Sequence, residues 1–230
     1  GKIKGIGQNL SAPRNAQIIE ADGKHVTPGL IDCHSHVGGT GGLNEGGSAI
    51  SVEVRVGDVL NPADINLFRQ LGGGLTTANI LHGSANPMGG QSQVIKMRWG
   101  QDAEGLKFKA AKASVKFALG ENVKRSRSSD STRYPISRLG VEQFFISNFR
   151  AAEDYERKWN DFESGRSITP PRTDLRMAAT LEILRRERII HIHSYRQDEI
   201  LMFARLAKKL NLEVGTFQHI LEGYKVADAL

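Results

Sequence analysis

The chain has 230 residues, 39% hydrophobic and 24% charged, enough to bury a sizeable core in one large domain. No apolar run reaches the ~18–20 residues that cross a bilayer, and a single cysteine, Cys33, excludes an intrachain disulfide. The net charge of +6 is moderate, and much of it falls between Lys124 and Arg138, where Lys124, Arg125, Arg127, Arg133 and Arg138 face only Asp130. With Tyr134 its one aromatic residue and no regular aromatic interleaving, that cluster reads as a solvated loop or a clamp for an anionic substrate, and not as a nucleic-acid surface.

Residues 1–27 read as the remnant of a small β-sandwich. Ala16–Glu20 is extended, Ala21–Lys24 carries Asp-Gly turn chemistry, and His25–Thr27 resumes a strand. No apolar segment of signal-peptide type follows Gly1–Lys4, and the absence of an initiator Met reads as a chain cut from something longer. Pro28-Gly29 then breaks into Leu30-Ile31-Asp32-Cys33-His34-Ser35-His36, a strand whose period of two points both imidazoles to one face. Cys33 in that strand reads as a small buried filler. Taken alone, His-x-His is as well explained by a satisfied polar pair as by two metal ligands.

Ile50–Val56 alternates apolar and polar residues as a half-buried strand does. Asn61 with Pro62 behind it predicts a helix over Ala63–Leu71, with Ile65 and Phe68 on one face and Gly72–Gly74 at its end. Leu75–Leu81 reads as a strand, His82–Gln91 as a long loop, and Gln93–Met97 and Ala113–Leu119 as further strands. An amphipathic helix spans Val141–Glu163, with Phe144, Phe145, Phe149, Ala152 and Trp159 as its stripe. Helix Leu175–Arg188, strand Ile189–His193, helix Asp198–Leu210, strand Glu213–His219 and a short final helix complete the chain. This alternation predicts a parallel sheet with helices outside, and no G-x-G-x-x-G supports dinucleotide binding.

Three predicted strands end in histidine: His34 and His36, His193, and His219. His191 shares the face of His193 if the strand is regular, but His193 lies nearer the C-terminal end, where α/β barrels gather their chemistry. Neutral imidazoles are standard ligands for zinc and its neighbours.

Val26-Thr27-Pro28-Gly29-Leu30-Ile31-Asp32-Cys33-His34-Ser35-His36 resembles the entry motif of the metal-dependent amidohydrolase superfamily. Gly74–Ala78 is similar to its second-strand signature, and Ile190–Ser194 and Phe217–His219 to strands five and six, each with one histidine ligand. The nearest branch by this resemblance is the imidazolonepropionase-like and prolidase-like one. It implies an α/β fold: a partial TIM-like (β/α)8 barrel of about six of eight strands over residues 28–230, preceded by the end of the β-sandwich. It further implies one or two divalent ions, zinc first among them, on His34, His36, His193 and His219. A lysine or glutamate of the fourth strand would bridge them. Lys116 and Glu121 are the candidates, and Glu121 is preferred because it lies nearer the strand's C-terminal end. The plain alternative pairs Glu121 with Lys124 or Arg125. The family's general-base aspartate is expected beyond Leu230, so the fragment itself is expected to be inactive and poorly stable.

The implied activity is hydrolysis of an amide, cyclic amide or dipeptide C–N bond by metal-activated water. The alternative is a non-catalytic barrel serving as a binding or scaffold module. His82, Asn86, Arg125, Tyr195 and Arg196 are candidate substrate contacts from loops at the mouth. The expected partner is a small amide or peptide, with neither nucleic acid nor a membrane segment, and a homo-oligomer is compatible.

Overall fold

The strands that carry the histidines fall in two sheets. The computed structural model describes residues 2–39, 41–124 and 132–230. In the first sheet β1 (Leu30–Ser35) runs parallel to β2 (Leu75–Ile80), and β4 (Gln93–Lys96) lies antiparallel on the far side of β2. The second sheet has the order β3 (Met88–Gln91), β5 (Ala113–Ala118), β6 (Arg188–Ser194), β7 (Val214–His219). Its last three strands are parallel, with β3 antiparallel to β5. Ser92 alone separates β3 from β4, so the chain changes sheet at that residue.

Five helices accompany the strands: α1 (Ile65–Gly72), α2 (Ala103–Leu106), α3 (Arg138–Glu163), α4 (Leu175–Leu184) and α5 (Gln197–Lys209). Each sheet has its own core. Val115 and Phe117 of β5 and Ile190 and Ile192 of β6 pack with Phe145 and Phe149 of α3 and Phe203 of α5. Phe117 stacks on Phe145 at 5.7 Å between centroids and meets Phe149 and Phe203 at 6.4 and 6.3 Å. Each fully buried Phe stabilises by about 1.5–3 kcal/mol through removal from water. The smaller core joins Ala78 and Ile80 of β2, Ile95 of β4 and Leu67 of α1.

Several expectations are corrected. Among residues 2–29 the described backbone contains no strand, and Ile18, Ile19 and Val26 are exposed, since no second element covers them. Ile50–Val56 is not a strand either: it makes single bridges at Ile50 and Arg55 and buries both Ser51 and Val52, which no alternating strand does. The first helix starts at Ile65 because Asp64, not Asn61, accepts the Asn66 N–H as its cap. It buries Leu67, whereas Ile65 and Phe68 face outward. The loop expected over His82–Gln91 contains β3. Cys33 is exposed, as is Ile31 two residues before it on the same face of β1. None of the described helices is long and apolar enough to cross a membrane.

Candidate metal centre

Period-two geometry divides β5 cleanly. Val115 and Phe117 enter the aromatic core, so Ser114 and Lys116 take the opposite face. Parallel register sets Lys116 beside His191 and Ala118 beside His193 on β6, and His193 beside Gln218 on β7. Lys116 is fully buried, and its Nζ has no hydrogen-bond partner. Gly89 lets β3 approach β5 closely here: a Cβ on it would stand 2.6 Å from the Lys116 carbonyl oxygen and 2.9 Å from His82 Nδ1.

On β1 the His34 N–H donates to Asp32 Oδ1 at 3.0 Å, and His34 and His36 leave the strand's end together. His36 Nδ1 lies 3.0 Å from the Leu81 carbonyl oxygen, which can only accept, so the proton sits on Nδ1 and the lone pair on Nε2. That lone pair lies 3.2 Å from His34 Nε2. At the end of β7, His219 has φ +65°, a left-handed conformation that a non-glycine residue adopts only under constraint. The kink brings its ring to 4.9 Å from the His34 ring and 4.8 Å from the His193 ring. Three strand ends thus deliver His34, His36, His193 and His219 to one place.

Charge and burial favour the neutral form of His34, His193 and His219. Burial, reinforced by the Lys116 ammonium and the neighbouring imidazoles, pulls His34 down to about 4. Burial, His219 and Lys116 bring His193 to about 4 as well. His219 is lowered by burial first and by Lys116 second. Burial alone lowers Lys116 to about 8. Neutral imidazole is the ligating form, and an amine near 8 is partly unprotonated at physiological pH.

Do these residues suit a metal ion? No three His, Cys, Asp or Glu side chains among the described residues are already arranged around one ion position. The donor chemistry nevertheless fits. Two nitrogen ligands at about 2.05 Å from a tetrahedral zinc stand about 3.3 Å apart, close to the 3.2 Å between the Nε2 atoms of His34 and His36. His193 Nδ1 is buried without a partner, while its Nε2 faces Asn122 Nδ2 at 3.4 Å.

The other candidates fall elsewhere. Glu121 is turned to solvent by the positive φ of Gly120 (+81°) and pairs with Lys124 at 2.6 Å and with Arg138. Those two cations hold its carboxyl below the usual range, Lys124 first. The residue of this strand that enters the cluster is Lys116. His82 is buried with both nitrogens engaged: Glu45 N–H donates to Nε2 and Nδ1 faces the Gly83 carbonyl. Asn86, fully buried, donates to Glu45 O, Ser48 O and Ser51 Oγ. Both pin the 45–51 segment instead of reaching a mouth. Tyr195 sets its ring 4.3 Å from His193, within the cluster. Arg196 is exposed and bound to Asp198, and Arg125 lies outside the described residues. Asn122 escaped sequence reading; its one signal was its place in the turn directly after β5.

No family model matches the chain. It is 28% identical over 244 residues to the amidohydrolase tasK of Hapsidospora irregularis, covering 95% of this chain and 25% of that protein. Over 37 residues it is 54% identical to the imidazolonepropionase of Vibrio cholerae, 16% of this chain and 9% of that one. In structure it matches an amidohydrolase from Thermotoga maritima MSB8 with a TM-score of 0.88 and 31% identity, covering 98% of this chain and 60% of that one. The chain therefore spans a quarter of one relative and three-fifths of the other. Along nearly its whole length, in sequence and in fold, the chain is similar to amidohydrolases.

Proposed function

We propose that this chain forms the metal-holding part of a hydrolase that cleaves an amide, cyclic amide or dipeptide C–N bond, built as a partial (β/α)8 barrel. The observation that carries the reading is the meeting of four imidazoles from three strand ends, three of them lowered by the charge of a buried Lys116 whose amine has no partner among the described residues. In it His34, His36, His193 and His219 hold one or two divalent ions, zinc first among them. A bound ion of this kind supplies Lewis acidity and lowers the pKa of a bound water.

The chain's own residues do the rest. Burial favours the neutral, ligating form of His34, His193 and His219. Lys116, rather than Glu121, is our bridging candidate: its neutral amine adds carbon dioxide with release of one proton, giving a carboxylated side chain at the centre of the cluster. Asn122, whose Nδ2 lies 3.4 Å from His193 Nε2, is placed to orient that ring. Tyr195, against His193, is placed to orient the substrate.

Assays of N-acyl amino acids, X-Pro dipeptides and cyclic amides test this with a longer polypeptide that carries the chain. Zinc-dependent turnover that disappears in a His193→Ala, His219→Ala double variant is expected. Turnover of equal rate in that variant would overturn the reading.

A further inference from the structure

The two sheets are not hydrogen-bonded to each other as neighbouring strands, and a cavity of about 330 Å³ opens along their seam. Ala113 and Ser114 at the start of β5, and Arg188 at the start of β6, form one wall. The cavity therefore lies at the opposite end of those strands from His193. Gln93 and Val94 of β4 form the facing wall, and the segment from Lys107 to Lys112 closes the side.

Its lining is strongly cationic. Arg55, Lys107, Lys109, Lys112 and Arg188 border it, against one carboxylate, Asp58. Arg188 is a fixed part of the wall, with Glu182 on its guanidinium and a 3.2 Å hydrogen bond to the Ser114 carbonyl. The other cations are free to re-aim. Arg55 pairs with an exposed Asp58, Lys107 with an exposed Glu104, and Lys112 with a Glu213 that Arg186 shares. Exposed pairs of this kind are weak and yield to an anion that meets several cations at once. Lys109 takes part in no ion pair among the described residues.

Two further features keep the space open and polar. A Cβ on Gly57 would stand 2.9 Å from Gln93 Oε1 and 3.4 Å from Lys107 Cε, so any side chain there would intrude. Ser92, where the chain changes sheet, lines the cavity with a buried hydroxyl that has no partner.

We propose that this cavity binds a small multivalent anion, a phosphate ester or a di- or tricarboxylate, that ties the two sheets together. Cations from the loop after β4 and from the starts of β5 and β6 would meet on it, remote from the histidine cluster.

Calorimetric titration of the whole chain with pyrophosphate and, separately, with citrate tests the proposal at low ionic strength. Saturable one-to-one binding of at least one probe is expected, with a rise in unfolding temperature. Binding of one probe alone assigns the site to that class, and equal binding of both supports the shared chemistry. Lys109→Glu with Lys112→Glu is expected to weaken binding at least tenfold, whereas Lys2→Glu with Lys4→Glu leaves it unchanged. Gly57→Met, which fills the cavity without altering charge, is expected to abolish binding. No saturable binding of either probe, or equal weakening by the two charge-reversed pairs, would overturn it.

Discussion

Replacing Lys116 by Met tests the electrostatics of the cluster. The side chain is fully buried, its Nζ has no partner, and burial lowers it from 10.5 to about 8. Between those two pH values the unfolded chain holds more protons than the folded one, so stability rises with pH across the window. A difference of about 2.5 pH units at 1.36 kcal/mol each amounts to about 3 kcal/mol. Below pH 8 the lysine is charged in both states and that cost is present in full; above 10.5 it is gone. Met has similar length and no charge. In chelator-treated protein and carbon-dioxide-free buffer, Lys116→Met is therefore expected to be more stable by up to about 3 kcal/mol at pH 7. The advantage is expected to fade as pH passes from 8 to 10.5. Urea unfolding at four pH values, followed by circular dichroism, measures the difference. A variant no more stable than the parent at pH 7, or an advantage that stays constant to pH 10.5, would refute the reasoning.

Other outcomes follow from the same structure. His34 and His193, near 4 when folded against 6.5 in an open chain, leave the unfolded state with more protons as pH falls. Metal-free protein is thus expected to lose stability between about pH 6.5 and 4, and a His193→Gln variant to lose less, by urea midpoints across that range. Phe117→Ala, at a ring that meets three others, is expected to cost about 3–5 kcal/mol in equilibrium unfolding. Asn86→Ala strands the acceptors that hold the 45–51 segment. It is expected to cost about 1–3 kcal/mol and to speed amide exchange in that segment.

Much of this was legible before any coordinates. The Pro-Gly break and the His-x-His run mark β1, and the alternation of helix and strand locates β6, α5 and β7 within a residue or two. These are local patterns, and local patterns survive into the fold. What was not legible depends on partners. Glu121 looks well placed because it follows β5, but a single glycine with positive φ turns it to solvent. Lys116 lies further from the end of its strand than Glu121, yet it is the buried residue whose charge lowers His34, His193 and His219. Ile65 and Phe68 make a convincing apolar face, but the turn set by the Asp64 cap rotates Leu67 inward instead. Ile50–Val56 alternates like a strand and finds no continuous neighbour to pair with.

The central claim is that the four histidines form a metal site. Metal content of the purified chain after zinc loading and desalting, measured by inductively coupled plasma mass spectrometry, tests it most directly. The account predicts at least one tightly held ion per chain, and its loss in a His34→Ala, His36→Ala double variant whose circular dichroism spectrum is unchanged. A double variant that retained the full metal content of the parent would contradict it.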